Sequence, residues 1–103
     1  MADATDSRFQ ALADPTRRAI LKLLRRGSQT AGDLAKPFDL SKPTLSHHFA
    51  VLERSGLIRS ERRGTFIVYA LQASVLEEVA LALMDFATPG AVKPRLKKER
   101  LMT

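Results

Sequence analysis

The sequence predicts a mainly α-helical fold with one small β-hairpin, in the order α-α-α-α-β-β-α. Two observations carry this prediction. Apolar residues recur at helical spacing through most of the chain, whereas one segment around Gly64 is rich in the β-branched and aromatic residues typical of strands. The length of 103 residues fits one domain. We expect a folded domain over residues 6–86 and a basic, flexible tail over residues 87–103.

The first two helices are separated by a strong helix-start signal. Phe9 and Leu12 form a short apolar stripe at helical spacing before that signal. Asp14 can then accept a hydrogen bond from a free backbone amide, and Pro15 suits the first position of a helix. A second helix should therefore begin at Pro15.

Two further helices follow, joined by a tight turn. The segment that starts at Thr30 resembles a capping box, and Pro37 should end the third helix early because the residue before a proline avoids helical angles. Ser41 can cap the fourth helix, in which Pro43 is tolerated because it lies in the first turn. This helix should run to about Arg54.

A β-hairpin with basic residues is predicted after the fourth helix. Residues 57–62 and 65–71 have strand-like composition, and Arg63 with the following glycine can form the turn between them. Arg59, Arg62 and Arg63 place cations along the first strand and at the tip, where they could meet phosphates. A turn that is simply solvated is the alternative interpretation.

The composition favours an anionic partner and excludes several kinds of site. The chain has 17 Lys and Arg against 11 Asp and Glu, a formal net charge of +6, which suits nucleic acid or an acidic membrane surface, or serves solubility alone. The absence of cysteine excludes disulfides and Cys-based zinc sites. The longest apolar stretch, residues 79–84, is too short to span a bilayer, and no secretory signal opens the chain, so we expect a cytoplasmic protein. Much of the positive charge lies in the tail, at Lys93, Arg95, Lys97, Lys98 and Arg100, whose role the sequence leaves open.

Two short helices followed by a hairpin form the layout of a winged helix-turn-helix. At 100° per residue, Leu45, Phe49 and Leu52 fall on one side of the fourth helix and form a stripe for the core. The opposite side carries small and polar residues that could approach base edges, and the amides of the first turn could receive a phosphate. An ordinary solvated face is the alternative. The candidate DNA-binding residues are Ser41, Lys42, Pro43, Thr44, Ser46, His47, Arg54, Arg59, Arg62 and Arg63.

Three motifs in order carry a family resemblance. The segments DPTRRAIL, SKPTLSHHFAVL and the wing from GLI through RRG to VYAL resemble the hallmarks of the arsenical-resistance repressor family (ArsR/SmtB) of winged-helix regulators. The resemblance extends over about residues 9–86. It implies a homodimer that binds double-stranded operator DNA and represses transcription. It also implies DNA contacts from the fourth helix, which is the recognition helix of such a fold, and along the hairpin, which is its wing. The residues implied are Ser41, Lys42, Thr44, Ser46, His47, Arg62 and Arg63.

The residues do not provide the metal sites that the same family often carries. The chain has no cysteine, and the last helix has no histidine. His47 and His48 are neighbours, so on a helix their side chains point about 100° apart, whereas a helical metal pair needs i,i+4 spacing. We therefore expect no metal and no cofactor. The chain is most similar to the metal-free branch of the family, the SdpR-like autorepressors.

The last helix predicts a dimer. Ser74 and Glu77 resemble a capping box for a helix over residues 75–86, which is apolar on nearly every side. Such a helix needs cover on two sides, from its own domain and from a second copy, although a fully buried helix in a monomer is the alternative. The candidate interface residues are Phe9, Leu12, Val75, Val79, Leu83 and Phe86.

Other function classes fit less well. A winged helix used for protein–protein contact would favour large apolar groups on the recognition helix, where the outward side shows only Val51. An enzyme is disfavoured because consecutive Ser46, His47 and His48 on one helix cannot form a hydrogen-bonded catalytic chain. A repressor released by a small molecule or a partner protein stays open.

Overall fold

The computed structural model describes residues 4–89, so the predicted tail lies outside the described residues from position 90 onward. The predicted helix and hairpin order is confirmed, with one additional short strand before the third helix. The elements are α1 (Ala4–Leu12), α2 (Pro15–Leu24), β1 (Gln29–Thr30), α3 (Ala31–Ala35), α4 (Lys42–Arg54), β2 (Ile58–Arg63), β3 (Phe66–Leu71) and α5 (Ala73–Ala87).

Side-chain caps set the starts of three helices, as the sequence predicts. Asp14 Oδ2 accepts a hydrogen bond from the Arg17 amide at 3.0 Å, which fixes the start of α2. Thr30 caps α3 and Ser41 caps α4 in the same way. Because Ser41 occupies the cap position, Pro43 falls in the first turn of α4, where its missing N–H leaves no gap in the helix.

The predicted capping box of α5 is wrong. Ser74 lies inside the helix, which begins at Ala73, and Gln72 occupies the cap position without a side-chain cap bond. Gln72 is held instead by tertiary contacts, because its amide donates to Leu57 O at 2.9 Å and its Nε2 donates to Gly56 O at 2.8 Å. Attachment of Gln72 to the segment between α4 and β2 therefore decides where α5 starts.

The hairpin belongs to a three-stranded antiparallel sheet in the order β1-β3-β2. Arg63 pairs with Phe66, so the turn consists of Gly64 and Thr65, one residue later than predicted. Gly64 has φ +62°, a backbone conformation that glycine adopts without strain. The unpredicted strand β1 has only two residues and pairs with β3, which ties the start of α3 to the sheet.

The core lies between α2, α4 and the base of the hairpin. The predicted stripe of α4 is confirmed, since Leu45, Phe49 and Leu52 are all buried. Leu57 and Ile58 are buried directly after α4, which anchors the hairpin to the same core. In α5, Val79 is the buried residue. Packing of one side of α4 against the domain leaves its other side to solvent.

Candidate nucleic-acid interface

The α4 helix has one buried side and one exposed side. All seven predicted contacts on α4 and its cap are exposed, while the residues between them on the inner side are buried. The structure thus gives the helix the two faces that a groove-binding helix needs. The exposed residues are Ser41, Lys42, Pro43, Thr44, Ser46, His47 and Arg54.

The start of α4 is more fully hydrogen-bonded than the sequence predicts. Ser41 Oγ accepts from the Thr44 amide at 3.3 Å and donates to Thr44 Oγ1 at 2.8 Å. The Thr44 amide is therefore not free for a phosphate, and Pro43 has no N–H. Lys42 is the first residue of α4, where a backbone amide has no partner within the helix, and the Thr44 hydroxyl can still donate its own hydrogen outward.

The two faces of β2 point to different surroundings. Ser60 donates to Glu53 Oε2 of α4 at 2.6 Å. Tyr69 pairs with Ser60 in the sheet, and the centroid of its ring lies 4.8 Å from the centroid of the Phe49 ring on α4. Because side chains alternate along a strand, Arg62 shares this face of the sheet with Ser60. Arg62 therefore lies at the tip of the hairpin, on the same side of the sheet as α4.

The other two arginines of β2 lie on the opposite face of the sheet. Arg63 is at the tip, where it pairs with Glu61 at 3.1 Å on the exposed surface. Arg59 is at the base and lines a cleft of about 330 Å³ together with Arg25 and Arg26 of the α2 end. The structure therefore brings Arg62 and Arg63 together at the tip and separates Arg59 from the other candidate residues.

The two histidines of α4 have different environments. His47 is exposed, whereas the His48 side chain is only 12% exposed and its Nδ1 lies 3.1 Å from Arg17 Nη1. The rings are tilted by 56°, with centroids 5.8 Å apart. Among residues 4–89 no group of three or more His, Cys, Asp or Glu side chains is placed to hold a metal ion.

Two ionisable groups near α4 have shifted pKa values. The pKa of Asp14 is lowered from 3.8, chiefly by the hydrogen bond from the Arg17 amide; burial opposes this effect, and the positive charge of Arg17 adds to it. The pKa of Tyr69 is raised from 10.0, first by burial and then by the negative charge of Glu53.

Sequence reasoning missed two residues near the exposed side of α4 and one at the tip of the hairpin. Ser7 and Gln10 of α1 line a cleft of about 320 Å³ with His47 and Arg54, and only the folding of α1 against α4 brings them there. Phe66 is 61% exposed at the tip of the hairpin, next to Arg63 in the register. An aromatic residue directly after a basic turn is a signal that the sequence did offer.

The predicted interface residues fall into two groups. Phe9, Leu12 and Val75 are half-buried against the chain's own core, and Val79 is 3% exposed within that core. Leu83 and Phe86 follow Val79 on the same side of α5, but the domain ends before it can cover them. The large apolar residues of α5 that stay exposed are Leu81, Leu83, Met84 and Phe86.

None of the helices in the described part of the chain is long and apolar enough to cross a membrane.

Comparison with known proteins gives consistent matches. The model of the helix-turn-helix domain family matches residues 12–61. The transcriptional repressor SdpR of Bacillus subtilis is 44% identical over 82 residues, which cover 80% of this chain and 91% of that protein. Among solved structures, an ArsR family transcriptional regulator is similar with a TM-score of 0.78 at 40% identity, over 82% of this chain and 93% of that one.

A solution structure from Mycobacterium bovis shares the same architecture. It is a homodimeric winged helix-turn-helix DNA-binding domain of a possible ArsR-family regulator, with a TM-score of 0.68 and 27% identity over 82% of this chain and 80% of that one. The resemblance seen in the motifs of the sequence is thus confirmed along most of the chain, and with it a class of regulators rather than enzymes. The protein belongs to the ArsR family of winged helix-turn-helix transcriptional regulators.

Proposed function

We propose that this protein is a transcriptional repressor that binds a palindromic DNA operator as a homodimer and needs no metal. One observation carries the proposal: the exposed side of α4 and the tip of the hairpin present polar and basic side chains that nothing in residues 4–89 covers. The repressor SdpR, which the sequence resembles, supports the regulatory sense of the proposal.

The chemistry of α4 suits the major groove. A groove about 12 Å wide admits a helix whose outward residues are small or flexible. Ser46 and Thr44 allow close approach, His47 can hydrogen-bond base edges, and Lys42 can pair with a phosphate at the start of the helix.

The hairpin tip suits the DNA backbone beside that groove. Arg62 and Arg63 point to opposite faces of the tip, so together they could reach phosphates on two sides. Phe66 adds an exposed ring that could pack on sugars in the minor groove. Arg59 is proposed only as a peripheral contact, because it lies at the base of the far face.

A second copy of the chain is the proposed cover for the free part of α5. The exposed side chains of Leu83 and Phe86 continue the stripe that Val79 begins, and a homodimeric relative with the same architecture supports this pairing. A two-fold dimer would place two α4 helices roughly 34–36 Å apart, which predicts a palindromic site.

Metal independence is proposed from the available ligands. The sequence contains no cysteine, and the adjacent His47 and His48 diverge, with His48 bonded to Arg17. The test is operator binding after treatment with a strong chelator. Unchanged affinity is expected, and affinity restored only by an added metal would contradict this part of the proposal.

The main test is binding of the protein to its own promoter region at several salt concentrations, followed by fluorescence anisotropy. Arg62→Ala should weaken binding and reduce the slope of log K against log salt by about 0.9 for each phosphate that is no longer neutralised, or about 1.8 for a dimer. His47→Ala should reduce the preference for promoter DNA over unrelated DNA. Arg26→Ala is the matched control, because it removes an exposed arginine from the cleft behind the sheet.

Equal affinities and salt slopes for the wild type, Arg62→Ala and His47→Ala would contradict the site. A wild type without any preference for promoter DNA would contradict the function itself.

A further inference from the structure

One arginine joins three helices beneath the exposed side of α4. Arg17 Nε donates to Ala11 O at 2.8 Å, and its Nη2 donates to Gln10 O at 3.1 Å, both at the end of α1. Its Nη1 lies 3.1 Å from Nδ1 of His48 on α4. All three guanidinium nitrogens are therefore engaged, two by α1 and one by α4.

Arg17 is itself held rigidly. It lies in the first turn of α2, where its amide donates to the Asp14 carboxylate that caps the helix. The Asp14 carboxylate also lies 3.8 Å from His48 Nδ1. Because the backbone and the side chain of Arg17 are both hydrogen-bonded, the residue can hold α1 and α4 in one relative position.

The α1 helix is in turn fixed to α5. Arg8 Nη1 pairs with Glu78 Oε1 at 2.9 Å, and Arg8 Nε donates to Ser55 O at the end of α4. The helix that carries the free apolar side chains is thus connected through α1 to the helix that would enter the groove.

We infer that Arg17 is a positioning residue for operator binding: through His48 it sets the orientation of α4 relative to α1 and α5. In the proposed dimer this orientation sets the separation and the angle of the two α4 helices. The inference rests on the proposed function, and it concerns the spacing of half-sites rather than contact with DNA.

The state of His48 follows from the same contact. A guanidinium has only donors, so Nδ1 of His48 must accept, and a neutral His48 ring then carries its hydrogen on Nε2. His48→Asn keeps an acceptor close to the position of Nδ1, whereas His48→Phe keeps the ring and loses the acceptor. These two variants therefore separate the hydrogen bond from the packing.

The experiment measures affinity for the operator and for operators whose half-sites are one base pair closer or farther apart. The wild type should lose about tenfold or more in affinity on either change, because one base pair shifts and rotates the second half-site. The Arg17→Met dimer should lose less than about threefold in affinity on either change of spacing, because its two α4 helices can adjust their separation to the DNA. The matched control is Arg18→Met, which removes an exposed arginine whose side chain donates to Leu12 O at the end of α1.

The His48 variants test the same inference independently. His48→Asn should discriminate between spacings as the wild type does, and His48→Phe should discriminate as poorly as Arg17→Met. Nitrogen-15 spectra of the wild-type imidazoles should show the Nε2–H form at His48, and Arg17→Met should change that signal. If Arg17→Met does not fold, the His48 pair decides the question.

The inference would be overturned if Arg17→Met discriminated between half-site spacings as well as Arg18→Met does, or if His48→Phe did so as well as His48→Asn. Either result would leave the proposed function intact. A wild type that prefers no operator at all would instead refute the proposed function.

Discussion

Replacement of Phe86 by serine should weaken the proposed dimer and leave the folded domain unchanged. The ring is 79% exposed in the single chain and lies on α5 beyond the part that packs on the core. Its removal opens no cavity within the domain, so any loss reports on a partner. Phe66→Ser is the matched control, because that ring is 61% exposed but lies at the tip of the hairpin.

The magnitude follows from the exposed area. Full burial of a phenylalanine side chain contributes about 1.5–3 kcal/mol, so covering a ring that is 79% exposed contributes about 1–2.5 kcal/mol. A two-fold interface contains the residue twice, which gives about 2–5 kcal/mol of association free energy. The dimer dissociation constant should rise by about 30-fold to several thousand-fold.

Sedimentation velocity over a range of protein concentrations measures this constant. Phe86→Ser should dissociate at concentrations where the wild type and Phe66→Ser remain dimeric, and its thermal midpoint should lose its dependence on concentration. The reasoning would be refuted by equal dissociation constants for Phe86→Ser and Phe66→Ser, or by a wild type that stays monomeric.

Three further predictions concern the domain. Asp14→Ala should lower the free energy of unfolding by about 1 kcal/mol at pH 7, because the cap of α2 is lost. Since the pKa of Asp14 is lowered from 3.8, the difference in unfolding free energy between the wild type and the variant should narrow below pH 3.8. Urea unfolding at several pH values measures this difference, and a difference that stays constant with pH would contradict the prediction. Tyr69 is the single tyrosine, so absorbance at alkaline pH follows the titration of its phenol alone. The titration midpoint should lie above 10.0, and Glu53→Gln should lower it only partly because burial is the larger cause of the raised pKa. A titration midpoint at 10.0 would exclude the raised pKa. Gly64→Val should destabilise the turn by about 1–2 kcal/mol, measured by thermal unfolding, and an unchanged midpoint would argue against the positive φ.

Local chemistry explains which parts of the fold could be predicted. Asp14 and Ser41 bond to amides three residues away, so their sequence neighbours alone decide whether they cap a helix. The caps and the buried side of α4 were therefore predictable. Ser74 has an equally good local pattern, but contacts of Gln72 with distant carbonyls override it.

The candidate site was predicted as a set of residues but not as an arrangement. A pattern along α4 identifies exposed residues such as His47, because the helix repeat fixes their direction. The sequence pattern does not show toward which side of the sheet Arg59 and Arg62 point, because only the packing of the sheet against α4 decides which of its faces is the inner one. It also could not reveal Gln10 in the α1–α4 cleft, or the contact of Arg17 with His48 across 31 positions.

The order of the helices, the hairpin, the core stripe of α4 and the family follow from residue patterns, because helix and strand periods and caps act over a few residues. The facing of the hairpin arginines, the start of α5, the strand β1 and the network of Arg17 required the packed molecule. Each depends on atoms far apart in sequence, whose approach is decided by the burial of the whole core. The exposed end of α5 belongs to both: the sequence shows that it is apolar, and the fold shows which part the domain leaves uncovered.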